Sequence, residues 1–312
     1  MAFRYINPGY VKLLSGGGMT TTESFVYNPE NGVAFCSGSS GNAVSLVEIF
    51  PAGYVSNDLY CKFDLYVEGN PYYGDKFYMG LARYDDQNSI SWITGISTYD
   101  GYAYIFNTSR KICTSQKLKD NALNSISFSL NLQEATASLT LNNETINCSG
   151  LSYTKYYGTM SPFKIQLPKD GNCTYYIANL IVSDVEISPK ETIIALPVRE
   201  TITDMTAGAS GIYIADAANQ TLLQTVDVST LIENYGASSA VTGIALVGNP
   251  AYKTAAGLTS LIGLSKRGAS TVEHGICDLS SDTTAAISDA WSTENMTIAD
   301  LQGAQFGWKV GT

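Results

Sequence analysis

One histidine, His274, stands in a chain of 312 residues. Any Ser-His-Asp, Cys-His or histidine-based zinc site would therefore have to be built around that single ring. Its setting, TVEHGIC, reads as a strand with His274 in phase with Val272 and Ile276, which predicts a hydrogen-bonded structural side chain. No serine sits in GxSxG, HExxH is absent, and neither Gly16–Gly18 nor GASSAVTG carries the lysine of a phosphate loop. Glycoside hydrolysis needs two acids a few ångströms apart. The nearest pairs are Asp64 with Glu68 and Asp184 with Glu186, and neither makes the ExDxxE-like run that aims alternate acids into one cleft. The reading is non-enzymatic, with no catalytic residue assigned.

Two binding chemistries have better material. Asp85, Asp86 and Asn88, with Gln87 between them, form a hard-oxygen loop in which calcium is the ion to consider, with Asp58 or Asp100 as further ligands. Calcium takes about six to eight oxygens, and the plainer reading is a solvated turn, so no cofactor is assigned. Sugar rings stack on aromatic faces while Asn and Asp bond the hydroxyls. Tyr72, Tyr73, Tyr84, Tyr99 and Tyr102 all sit in or beside turns rich in Asn, Asp and Gly, which makes them glycan-binding candidates. The competing reading is a set of tyrosines that line strands with the ring buried and the hydroxyl wet.

The elements that must position these residues are short strands. Residues 58–69 alternate Leu59, Cys61, Phe63, Leu65 and Val67 against polar partners, and residues 76–84 return after the turn GNPYYGD. In SISFSLNLQEATASLTLNNETI, Ile126, Phe128, Leu130 and Leu132 alternate with Ser and Asn, and Ala137, Leu139 and Leu141 repeat the pattern on the return. Asn142-Asn143 then supplies residues that tolerate positive φ. The pattern predicts a meander of half-buried antiparallel strands. Residues 175–187, YYIANLIVSDVEI, are apolar on both alternating faces, which predicts a central strand that closes the first domain. Two apolar runs, residues 32–36 and 43–50, precede all of these.

Composition places a boundary near residue 190. Residues 1–190 hold 28 of the 34 aromatics, and the charge divides as 13 basic against 16 acidic before the boundary and 5 against 12 after it. The expectation is an all-β chain with a sandwich over 1–190 and a second, smaller β-rich sandwich over 191–312. In the latter, residues 228–235 suggest a helical turn stopped by Gly236, while residues 255–264 carry leucines at helical spacing interrupted by Gly257 and Gly263. Residues 283–291 fit helix or strand. A net charge of −10 without a basic cluster argues against nucleic acid as a partner. No window approaches the roughly 18 apolar residues of a membrane helix, and the first residues lack the apolar core of a signal peptide. The expectation is thus a soluble protein made in the cytosol. The six cysteines show no metal-ligand spacing and read as buried free thiols.

Two family resemblances follow from these stretches. Strand, tight turn, strand (SISFSLNLQEATASLTLNNETI) and then YIANLIVSDVEI resemble the concanavalin A-like, laminin-G-type jelly roll over roughly residues 20–188. QTVDVSTLIENYGASS, VTGIALVGNPAYKT and TIADLQGAQFGWKVG are similar to C-terminal modules of structural proteins in tailed bacteriophages and prophages, and MAFRYINPGY resembles the start of such proteins. That likeness implies a virion component, in tail, fibre or capsid decoration, that forms a homo-oligomer and meets other virion proteins and host surface glycans. Its location would be the virion. Trp291, Phe306 and Trp308, among few aromatics in an acidic module, are the expected docking surface. The alternatives are a free carbohydrate-binding module and a jelly-roll glycosidase.

Overall fold

The structure, a computed structural model, describes residues 4–7, 19–22, 34–37, 56–69, 77–84, 90–108, 110–151, 163–166, 173–194, 196–248, 250–281 and 287–312. It divides into two compact units, residues 2–193 and 194–312.

Among the described residues of the first unit, thirteen strands form two sheets. The larger takes β1 (Arg4–Asn7), β2 (Met19–Thr22), β3 (Ala34–Ser37), β4 (Asp58–Gly69), β9 (Leu123–Asn131), β10 (Thr136–Leu141), β11 (Glu144–Ser149) and β13 (Cys173–Ser183). Its order is β11-β10-β9-β4-β13-β3-β2, with β1 also on β13. The smaller sheet runs β12 (Phe163–Gln166), β5 (Tyr78–Tyr84), β6 (Ile90–Tyr99), β7 (Tyr102–Asn107), β8 (Arg110–Lys117). All these pairings are antiparallel. Every second residue of β4 (Leu59, Cys61, Phe63, Leu65, Val67) and of β9 (Ile126, Phe128, Leu130) turns inward to meet Phe77, Met79, Ile96, Ile105, Phe163 and Ile165 from the other sheet. This is the jelly-roll-type sandwich: two pleated layers, each hydrophobic on one side, sharing one core.

The central position of β13 is as its two-sided apolar pattern predicts, since β4 lies on one flank and β1 and β3 on the other. Its phase differs from simple alternation. Asn179 adopts a positive φ of 52°, and the register with β4 shifts between Ala178 and Ile181. Asn tolerates the left-handed region, so the extra residue is absorbed as a bulge. Ile177, Leu180 and Val182 consequently join the core, and Ile181 turns to the other face. The strand ends at Ser183, and Val185 beyond it is exposed. The segment that follows is tied down by Lys62, whose Nζ donates to the carbonyls of Pro189 (2.7 Å) and Glu191 (2.5 Å).

The thiol expectation requires correction at two positions. Cys113 of β8 and Cys148 of β11 form a disulfide, with Cα atoms 6.5 Å apart. These strands are the outer members of the two sheets on one side, so the bond clasps the sandwich at its edge. Cys61 is a buried thiol outside any disulfide, whose burial pushes its ionisation upward, and Cys277 is likewise not in a disulfide.

The second unit is β-rich as expected. An antiparallel sheet, β14 (Val198–Thr203), β17 (Thr221–Val226), β23 (Ala304–Gly311), β20 (Ser260–Arg267), β21 (Ser270–Asp278), in that order, forms one layer. Its inner face is covered at one end by β15 (Thr206–Ala207), β16 (Tyr213–Ala215) and β19 (Ala251–Lys253), which surround Leu222, Leu261, Trp308 and Val310. At the other end β18 (Ala240–Gly248) and β22 (Ile287–Thr297) pack with the helices α1 (Ser229–Tyr235) and α2 (Ile298–Leu301) around Trp291, Met296 and Phe306. Helix α1 stops at Gly236, at a φ of 85°, as its sequence predicts. The leucines at helical spacing in 255–264 instead end in β20, where Leu261 and Leu264 are buried by sheet packing. Residues 287–291 resolve the remaining ambiguity as strand.

Candidate functional site

The smaller sheet of the first unit has two unlike faces. Phe77, Met79 and Leu81 face the core, so the intervening positions of β5 face outward. Tyr78 is therefore outward, and through the register so are Ser97 and Gly95 on β6 and Tyr104 and Phe106 on β7. Trp92, opposite Ala82, joins them after a register shift between Leu81 and Ala82. Trp92, Tyr104 and Phe106 form a hydrophobic cluster separate from the main core, with Tyr78 packed against it. The rings interlock: Tyr78 stacks on Trp92 at 5.3 Å, and Phe106 meets both edge-on at 5.5 and 5.9 Å. These are the offset and T-shaped geometries that ring quadrupoles favour.

The floor beneath the rings is shaped by a glycine pair. Gly80 lies opposite Gly95, and a Cβ on Gly95 would come within 2.2 Å of the Met79 carbonyl oxygen. With no side chain at either position, the backbones of the two strands approach each other closely there. Burial raises the Tyr78 phenol above its ordinary range, with Tyr104 adding to the rise and a hydrogen bond with Ser97 opposing it.

Tyr99 and Tyr102 form the exposed end of the same face. They lie directly opposite one another, joined by Asp100 and Gly101 at φ 57° and 74°. Asp-Gly with two positive φ values is the two-residue turn that matches strand twist. Both tyrosines are exposed, at 44% and 38%, whereas Tyr104 one step along β7 is 6% and Phe106 is 0%. Along β7, then, aromatic residues at every second position pass from buried to solvent within three steps.

Of the sequence-predicted glycan residues, the structure brings Tyr99 and Tyr102 together. It does not bring Tyr84 to them: Tyr84 pairs with Ile90, at the far end of β6 from Tyr99. Nine residues of strand put about 30 Å between them. Tyr72 and Tyr73, and the oxygen loop Asp85, Asp86 and Asn88, lie outside the described residues. Asp64 accepts a 3.0 Å bond from Asn179 Nδ2, a structural contact beside the β13 bulge. Tyr78, Trp92, Tyr104 and Phe106 escaped the sequence reading. The available signal was the alternation of Tyr102, Tyr104 and Phe106 in GYAYIFN, in which a core-facing strand would carry its rings out of phase with the exposed tyrosine.

The expected docking surface needs correction. Trp291, Phe306 and Trp308 are 9%, 5% and 5% exposed. Phe306 and Trp308 face inward from β23 into the two clusters of the second unit, and Trp291 on β22 belongs to the cluster that holds Ile298 and Leu301 of α2. Rings this large supply most of the apolar area of a small core, so few aromatics here means that each one is needed inside. His274 is hydrogen-bonded as expected. Its Nε2 lies 2.7 Å from Ser265 Oγ, its ring stacks on Trp291 at 3.8 Å, and burial lowers its basicity. Among the described residues no group of acids, cysteines and histidine gathers as a metal site, and no helix is long and apolar enough to cross a membrane.

No family model and no curated protein matches the chain. Among solved structures it is similar to a lectin from Bauhinia forficata in complex with GalNAc, at 9% identity and a TM-score of 0.40, covering 59% of this chain and 98% of that one. It is also similar to a GH131 beta-glucanase catalytic domain from Podospora anserina, at 9% identity and a TM-score of 0.38, covering 61% and 88%. A sialidase aligns at 14% identity and a TM-score of 0.34, over 48% of this chain, which spans only 15% of that protein's length.

Proposed function

We propose that this chain is a non-enzymatic adhesion protein that binds carbohydrate through the outward aromatic face of its first unit. The observation that carries the reading is the ring ladder on the smaller sheet, which ends in the exposed pair Tyr99 and Tyr102. Packing of the sandwich asks for apolar residues on the inner face only. A second aromatic cluster lies on the other face, and the same row of β7 runs on from it to the exposed Tyr102 opposite Tyr99, where a sugar can stack. Asp100, in the turn that connects the two tyrosines, adds an acceptor for sugar hydroxyls. Two such rings, at about 0.5–1.5 kcal/mol each, give binding of modest strength that many copies would multiply.

Multiplication is the reason to keep the particle-borne reading. On the likeness of its opening and its second unit to phage structural modules, the chain serves as a repeated virion component, a homo-oligomer that docks on other virion proteins and meets host surface glycans. A glycan array with the full chain tests the binding. The expected result is a ligand whose affinity falls about tenfold or more in Tyr99→Ala/Tyr102→Ala with unchanged melting. Equal binding by wild type and double variant overturns the assignment. Light scattering at micromolar concentration tests the assembly: one discrete oligomer is expected, and a strict monomer returns the chain to the free carbohydrate-binding module.

A further inference from the structure

The larger sheet also turns a face to solvent, and there the side chains are of another kind. Register aligns them in rows across four strands: Asp58 with Asn131, Thr136 and Ser149, then Tyr60 with Ser129, Ser138 and Asn147. These two rows line a groove of about 500 Å³. From the geometry of this groove we propose a second ligand site, on the sheet opposite the aromatic face, that takes a neutral polyhydroxylated ligand such as an uncharged oligosaccharide.

Three observations carry it. The groove's polar groups are already oriented by one another. Asn131 Nδ2 donates to Asp58 Oδ1 at 3.0 Å, Asn131 Oδ1 accepts from the Glu134 amide at 2.7 Å, and the Ser129 and Ser138 hydroxyls bond at 2.8 Å. A hydroxyl pair that shares one bond keeps a donor and several lone pairs for a third partner, so these contacts fix the side chains without exhausting them. Next, among the described residues the lining contains a carboxylate and no cation. Tyr60 reports the same acidic setting: burial, then Asp58, then Glu186 hold its phenol above the ordinary range, so it remains a donor with an aromatic face. An anionic sugar would meet repulsion here, and a neutral one would not. Finally, the outermost wall is rigid. Asn147 and Ser149 flank Cys148, which the disulfide anchors to the other sheet, so an edge strand that would otherwise fray is held in register.

An ordinary wet sheet face carries long Lys and Glu side chains that sweep across it. The short groups here lose little rotamer entropy when a ligand orders them. This site does not depend on Tyr99 and Tyr102, and the two readings stand or fall separately.

The test uses the intact chain, isothermal titration and two probes of equal length, a neutral hexasaccharide panel and a polyuronate hexamer. Neutral ligand is expected to bind and polyuronate is not. Measured in the Tyr99→Ala/Tyr102→Ala background, so that only the groove reports, Ser138→Arg, which fills the groove, and Tyr60→Ala, which removes its ring, are each expected to lower neutral-ligand affinity about tenfold or more. Asn147→Lys at the exposed edge supplies the same obstruction without touching the sheet interior, should Ser138→Arg fold poorly. Absence of neutral binding by wild type overturns the proposal. So does binding that survives both Ser138→Arg and Asn147→Lys, or a preference for the polyuronate.

Discussion

Reducing the Cys113–Cys148 bond, or replacing both residues by serine, removes the clasp between the edges of the first unit's two sheets. The two positions are 35 residues apart in sequence. In the chain-entropy account, closing a loop of that length takes about 13 cal/mol/K from the unfolded state, which at room temperature is about 4 kcal/mol of stability. For a unit of this size, each kcal/mol shifts the melting temperature by about 2–4 °C, so the transition should fall by roughly 10 °C. The second unit is an internal control, because its one described cysteine, Cys277, is not in a disulfide. Tryptophan separates the signals too: Trp92 lies in the first unit, Trp291 and Trp308 in the second. Scanning calorimetry with and without reductant should show one transition moving and one staying. If the first transition does not move, or if both move together, the clasp is not what holds the edges, and the rigidity argued for the groove wall goes with it.

Other substitutions separate the units in the same assay. Gly95→Ala sets a methyl against the Met79 carbonyl and should destabilise the first unit by more than about 2 kcal/mol while spoiling the aromatic face, read as lost Trp92 near-ultraviolet dichroism. Trp308→Ala should lower the second transition by about 3–5 kcal/mol, as for a core ring, while glycan binding stays intact; a stable variant with altered assembly would return Trp308 to the docking surface. His274 has a folded basicity below its unfolded value, so the unfolded chain binds more protons between those two values. Stability of the second unit should therefore fall as pH drops from about 7 through 6.5 and level off below the folded value. His274→Gln should flatten that step in a melting-temperature profile, and an unchanged profile would refute the assignment.

Much of the fold was legible because the pleat writes itself into sequence. The meander of β9, β10 and β11 needs Ile126, Phe128 and Leu130 inward and Ser127 and Ser129 outward, and no other arrangement buries them. The bulge at Asn179 was not legible, since one left-handed residue costs little locally and its effect appears only as a changed phase against β4. The disulfide was hidden for a related reason: Cys113 and Cys148 meet through tertiary closure, and their spacing carries no signature. Trp291, Phe306 and Trp308 misled because rarity suggests display, whereas a small core with few rings must use all of them. At the binding faces, the Asp100-Gly101 turn pointed to Tyr99 and Tyr102, but the groove rows read like any solvated sheet face until register placed Asp58 beside Asn131.

The position of β13 has a consequence for how the protein is made. Arg4 pairs with Ser183, and Tyr60 in β4 pairs with the same residue. During synthesis the larger sheet therefore lacks its middle strand until nearly the whole first unit has left the ribosome, while the β9–β10–β11 meander can form at once from neighbours in sequence. Closure of such distant pairs is slow, because the loop must be closed before any contact rewards it. Until then the backbone edge of β4 that pairs with β13 stands open. The interval between the meander and the arrival of β13 is when a nascent chain of this fold is most exposed to pairing with another copy.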